Sequence, residues 1–183
     1  MMIERIRREH GYMVRLLAIL RQKRRQLSNE QTINYSLVKE IVDYFIEHSD
    51  KVHHPKEDIL YYYYIDKYGD EALVDDLAQE HRALADNTQN FLMIVDMILQ
   101  DAVVPNQVFI EHLDTFVAEQ KHHLEQEEKI ILPLIAKTFT TQDWQCVESK
   151  WDQVEDDPVF GNTIADRYRQ LAERVKQVDK ECC

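Results

Sequence analysis

A repeated histidine pattern constrains this chain more than any other feature of its sequence. His53 and Glu57 form a His-x-x-x-Glu pair, and His123 and Glu127 form a second one 70 residues further on. A single histidine precedes each pair at nearly the same distance: His10 leads His53 by 43 residues, and His81 leads His123 by 42. Residues four apart share a helix face, so each pair sets an imidazole nitrogen beside a carboxylate one turn away. One such pair alone is ordinarily a solvated surface contact. Two pairs with matched lone histidines read as two copies of one unit, a helix with one histidine joined to a helix with His-x-x-x-Glu. Two such hairpins pack into a four-helix bundle with near two-fold symmetry.

The remaining sequence supplies the helices. Ile3, Ile6, Met13, Leu17 and Leu20 keep a 3/4 spacing in step with His10, and the stripe runs to Leu27 before Ser28-Asn29 interrupts it. A second helix starts around Asn34 to Ser36, carries Leu37, Ile41, Phe45, Ile46, Ile59 and Leu60, and ends near Lys67 with Gly69 as its stop. Pro55 lies inside it and predicts a kink or bulge. Asp70 is a suitable N-cap for a third helix bearing Leu73, Leu77, His81, Leu84, Phe91, Val95 and Ile98. Pro105 fits the first turn of a fourth, whose inward residues read Phe109, Leu113, Phe116, His123, Glu127, Ile130 and Leu134 up to the Thr138 to Thr141 cluster. The expected fold is all-α: an up-down-up-down four-helix bundle over residues 1–138, with a C-terminal helical extension over 139–183 packed on the bundle or trailing it. Two helices are expected in the extension, separated by the Asp157-Pro158 and Gly161 loop, with Ile164, Tyr168, Leu171 and Val175 on one face of the last.

Side chains from antiparallel helices converge only if they stand at equal heights above the turns that join them. With turns centred near residues 31, 69 and 103, His10 and His53 lie 21 and 22 residues from the first, and Glu57 and His81 each lie 12 from the second. His81 and His123 lie 22 and 20 residues from the third, a mismatch of only ~3 Å at ~1.5 Å rise per residue. His10, His53, Glu57, His81, His123 and Glu127 can therefore share one layer. Each continues the inward stripe of its helix, where an unpaired glutamate costs several kcal/mol. A bound metal is the compensation that suits them.

Charge and composition narrow the rest. The net charge of -12 repels phosphate and anionic lipid, so neither nucleic acid nor membrane is expected as partner. Apolar runs such as Phe91 to Val95 are far shorter than the ~20 residues that span a bilayer, and the first residues are charged, which together suggest a cytoplasmic protein. Cys146, Cys182 and Cys183 form no disulfide framework and lack zinc spacing, so they read as free thiols in a reducing compartment.

His10, the His53-His54-Pro55-Lys56-Glu57 stretch, Glu80-His81, and His122-His123-Leu124-Glu125-Gln126-Glu127 with Pro133 behind it resemble the hemerythrin HHE cation-binding family. The resemblance covers about residues 1–138. It implies an up-down bundle around two iron ions joined by an oxo or hydroxo bridge. By position it implies His10, His53, His81 and His123 as terminal ligands, and Glu57 and Glu127 as bridging carboxylates. Imidazole and carboxylate also suit manganese and zinc.

The chain departs from the oxygen-carrying hemerythrins in two places. Their third helix has a second histidine one turn from the first, where this chain has Leu77 and Ala85 around His81. Their fourth helix uses His-x-x-x-x-Asp, where this chain has His-x-x-x-Glu. Four histidines, two bridging glutamates and a solvent bridge leave two positions open on a pair of six-coordinate ions. Oxygen, nitric oxide or peroxide could take them, which points to a binder or sensor of such a molecule. A di-iron enzyme that consumes peroxide or nitric oxide, and an iron- or redox-responsive interaction module, are the alternatives.

Of the remaining histidines, His54 and His122 should point ~100° away from their ligating neighbours, toward the surface or a supporting role. His48 and His112 read as solvated. The run Tyr61 to Tyr64 spans all faces of its helix, so at least one ring should reach the core near the metal, as packing with a polar handle.

Overall fold

The computed structural model describes residues 2–69, 71–151, 157–162 and 164–181, without the side chains of 71–78 and 178–181. The expected Asp70 cap, the Leu73 and Leu77 side chains, and Cys182 and Cys183 lie outside the described residues. Helix α1 is Met2–Ser28. Helix α2 runs as Tyr35–Tyr44, a π-helical stretch Phe45–His53, and His54–Tyr68. Helix α3 is Glu71–Leu99, and α4 runs as Asn106–Gln126, a π-helical stretch Glu127–Ile131, and Leu132–Thr138. Helix α5 is Thr141–Ser149, and α6 is Arg169–Glu181 after a 3-10 turn at Asp166–Tyr168. Among the described residues there is no strand. No helix among them is long and apolar enough to cross a membrane.

The four long helices form an up-down-up-down bundle, with α1 against α4, α2 against α3, and α3 against α4. The connections follow local chemistry. Asn34 caps α2 by accepting the Leu37 N–H at 3.1 Å. Gly69 ends it at φ 73, where a side chain would be strained. Pro105 stands one position earlier than expected: it caps α4, whose first turn begins at Asn106.

Both π stretches end two residues before a proline, Pro55 in one case and Pro133 in the other. Proline has no N–H to donate and its ring presses on the carbonyl four residues back, so the preceding turn widens to an i→i+5 pattern. The His54 N–H accordingly bonds Ser49 O, and the Leu132 N–H bonds Glu127 O. The expected bulge at Pro55 is thus present as a full π segment. The second one shifts the buried face of α4 by a residue. Ile131, Leu132 and Ile135 are buried while Ile130 is 44% exposed and Leu134 only half-buried, which corrects the stripe expected there.

Two apolar clusters bracket a polar layer. In α1 His10 stands between Ile6 of one cluster and Met13 of the other, and in α2 His53 and Glu57 stand between Leu60 and Ile46. In α4 His123 and Glu127 fall between Val117 and Ile131. The layer is therefore walled from water above and below.

The C-terminal elements pack on this bundle. Asp143, in the capping box that starts α5, is buried and accepts the Tyr63 and Tyr68 hydroxyls at 2.7 Å each, with the Lys67 ammonium beside them. Tyr168, Leu171, Ala172 and Val175 join the larger apolar cluster, and the Leu171 N–H donates to Glu40 of α2 at 2.8 Å. Asp157 accepts the Tyr44 hydroxyl at 2.8 Å, and Phe160 stacks on Tyr12 of α1 at 4.2 Å.

Candidate metal centre

All six residues expected as ligands converge in the polar layer, and each is buried. His53 Nε2 lies 3.2 Å from Glu57 Oε1, and His123 Nε2 lies 3.3 Å from Glu127 Oε1, as the four-residue spacing requires. Each carboxylate divides its oxygens between the two halves of the molecule. Glu57 Oε1 faces His10 Nε2 at 2.9 Å and His53, while its Oε2 faces His81 Nε2 at 3.8 Å. Glu127 Oε2 faces His10 Nε2 at 3.4 Å, while its Oε1 faces His123 and, at 3.6 Å, His81.

The outward nitrogen of every one of these histidines meets another carboxylate. Glu9 holds His53 Nδ1 at 2.7 Å, and Asp58 holds His81 Nδ1 at 3.1 Å. Glu80 holds His123 Nδ1 at 3.2 Å, and Glu128 holds His10 Nδ1 at 2.8 Å. The pattern is a ring: α1 supports α2, α2 supports α3, α3 supports α4, and α4 supports α1. Such contacts fix the tautomer and the ring plane, so that Nε2 points inward as a free base when a proton leaves it. Sequence reasoning gave these four acids no role, although each is the immediate neighbour of an expected ligand and Glu80 stands in one of the quoted motifs. One residue is ~100° round a helix, which turns the acid toward the next helix of the bundle.

The charges are complementary in sign. Burial opposes protonation of His10, but the hydrogen bonds that its ring N–H groups donate to the Glu128 and Glu57 carboxylates outweigh it and raise its pKa to about 10. Burial likewise opposes charge on His123 and His81, and the nearby carboxylates, Glu127 for the first and Asp58 for the second, lift them to about 10 and about 9. Glu57 and Glu127 stay well below the usual carboxylate range despite burial, held there by the imidazoles around them. Without metal the layer is a set of imidazoliums around carboxylates.

Histidines with raised pKa stabilise the fold fully below their unfolded value near ~6.5, and that stabilisation is lost as pH rises through the folded values. Metal-free protein is therefore expected to lose unfolding free energy steadily from pH 7 to about 10. A bound metal takes the place of those protons, so metal-loaded protein should be nearly flat over the same range. Chemical denaturation of both forms across this window checks it; a flat metal-free profile would mean that the imidazoles are not charged by this layer.

The other histidines depart in part from the sequence reading. His122 is exposed and His112 is half-buried. His48 is buried, not solvated, because the Asp157 loop covers its face and brings a carboxylate oxygen to 3.4 Å. His54 is also buried, 4% exposed, and stacks on His81. Burial, with His81 beside it, pushes its pKa well below the usual value, so it is a neutral imidazole. Its 100° displacement presumes an α-helix, and the wider π turn behind it carries it inward instead. Tyr61 answers the expectation for the tyrosine run: its buried hydroxyl donates to Glu127 Oε1 at 2.6 Å. Cys146 is a free, half-buried thiol.

Among the described residues, surface clefts reach the layer from two sides. One of about 430 Å³ between α1 and α4 is bordered by His10, Gly11, Leu124 and Glu128. Another of about 400 Å³ between α3 and α4 is bordered by Glu80, Ala83 and His123.

The profile of the Hemerythrin HHE cation binding domain matches residues 1–135. The chain belongs to the hemerythrin HHE cation-binding family. No curated protein and no solved structure matches it. Membership makes this hemerythrin-family domain a metal-binding one, and its buried atoms fit that role. His53 Nε2, Glu57 Oε2 and Glu127 Oε2 have no hydrogen-bond partner, an arrangement that costs stability unless something else satisfies them. All three are nitrogen or oxygen donors of the type that iron accepts.

Proposed function

We propose that the layer holds two iron ions, with His10, His53, His81 and His123 as terminal ligands and Glu57 and Glu127 as bridging carboxylates. On this reading the protein binds or senses oxygen or a related small molecule, nitric oxide or peroxide. The observation that carries it is the division of the carboxylate oxygens: Glu57 and Glu127 each reach histidines on both sides, which suits two ions side by side and not one. Manganese and zinc suit the same donors. Two iron ions held here, with an oxo or hydroxo bridge between them, would supply a redox-active pair with open coordination positions.

The chain's own residues define access and environment. The α1/α4 and α3/α4 clefts leave His10 and His123 close to the surface, whereas the apolar clusters keep bulk water from the layer. A small uncharged molecule suits such a path. The carboxylate ring holds the imidazoles in place, so the site needs little rearrangement on binding.

Tyr61 favours a second reading, consumption of peroxide or nitric oxide. Its phenol is a buried proton donor in direct contact with Glu127, one of the proposed bridging carboxylates. Protein reconstituted with iron(II) under nitrogen and then aired separates the two. A visible band that appears in air and disappears on degassing supports a binder. Rapid peroxide loss, slowed at least ~10-fold in Tyr61→Phe, supports the enzyme. No spectral response to oxygen, nitric oxide or peroxide would overturn both.

A further inference from the structure

His54 occupies the layer in a way that exceeds packing. Its ring lies parallel to His81, with centroids 4.1 Å and planes 6° apart, and meets His123 edge-on at 5.5 Å. One donor atom from each of His54, Glu57, His81 and His123 lies within 4.8 Å of the other three. His10, His53 and Glu57 form a second such set. Donors ~2.1 Å from one ion stand ~3 Å apart at right angles and ~4 Å apart across it, so each set is close to the spacing that a single ion requires. His81 Nε2 and His123 Nε2, 3.1 Å apart, already have the right-angle spacing.

We propose that His54 is a fifth imidazole ligand, sharing one ion with His81 and His123 while His10 and His53 serve the other. The inference rests on the two-metal reading above. His54 also has a carboxylate at its Nδ1, although this one is on its own helix and beyond hydrogen-bond length: Asp50 Oδ1 lies 3.4 Å away. Its Nε2 lies 3.2 Å from Ser49 Oγ, and the ion replaces that contact. The Ser49 hydroxyl keeps a second partner in Met13 Sδ at 3.8 Å.

The consequence is asymmetry. The third helix has Ala85 where a second histidine would saturate the nearer ion, and His54 supplies that imidazole from α2 instead. One ion is then coordinatively full. The other, at His10 and His53, keeps the open position, and it is the one bordered by the α1/α4 cleft.

The test uses full-length protein loaded with cobalt(II), whose ligating imidazole N–H protons give separate, solvent-exchangeable, hyperfine-shifted resonances. Five such resonances are expected in the unmodified protein, and titration with azide should saturate at one azide per two ions. His54→Gln and His54→Leu should each lose one resonance, bind one of the two ions at least ~10-fold more weakly, and accept a second azide. Four resonances in the unmodified protein would overturn the assignment whether or not either variant folds. Two ions bound with unchanged affinity in folded variants would overturn it too, while leaving the two-metal reading intact. Failure of the unmodified protein to take up a second ion would remove both.

Discussion

Replacing Glu57 or Glu127 with alanine is expected to loosen both ions together, by more than the ~10- to 100-fold that loss of a supporting contact costs. Each carboxylate spans the two histidine sets, so either truncation takes one bond from each ion. It also removes one of the two negative charges at the centre of the layer, leaving the remaining carboxylate to face all the imidazoles. His122→Ala is the matched control, because His122 is exposed beside a proposed ligand and should leave affinity unchanged. His48 cannot serve as a control, since it is buried against Asp157 and Tyr44. Competition against a chelator of known affinity gives both constants. Loss of one ion with the other unaffected, or an equal loss in His122→Ala, would show that the carboxylates do not bridge.

Metal removal is expected to have the second large effect. A ligand that binds only the folded state adds ~4 kcal/mol when its free concentration is ~1,000 times its dissociation constant. For a chain of this size ~1 kcal/mol moves the midpoint by ~2–4 °C, so each ion should raise it by roughly 10 °C. The metal-free state is weakened in addition by buried atoms that face opposite charges but make no hydrogen bond of good geometry, His53 Nε2, Glu57 Oε2 and Glu127 Oε2. Calorimetric scans with metal and with chelator should differ accordingly. Coincident midpoints would mean that no ion reaches this layer.

The convergence of His10, His53, Glu57, His81, His123 and Glu127 was legible in the sequence because it depends only on helical period and on distance from the turns. Both are properties of a regular α-helix. What escaped that reasoning lies where the helix stops being regular or where a neighbour decides. The π turns before Pro55 and Pro133 add a residue to the winding, and so brought His54 inward and exchanged Ile130 for Ile131 on the buried face. Proline signalled a bulge at residue 55, but not the new direction of the side chains beyond it. The burial of His48 depends on a loop more than 100 residues away, and helical spacing says nothing about that contact. The supporting acids were visible in principle. Glu9, Asp58, Glu80 and Glu128 each adjoin an expected ligand, yet their partners sit on other helices and emerge only once the bundle is assembled.

The most direct measurement is an anaerobic iron(II) titration of the whole chain, followed by exposure to air with the near-ultraviolet and visible spectrum recorded at each step. A bridged pair predicts saturation at two equivalents per chain and an absorption that grows only as the second equivalent enters, because it belongs to the pair. Saturation at one equivalent, or a spectrum that develops fully with the first, would contradict a two-iron centre bridged by Glu57 and Glu127.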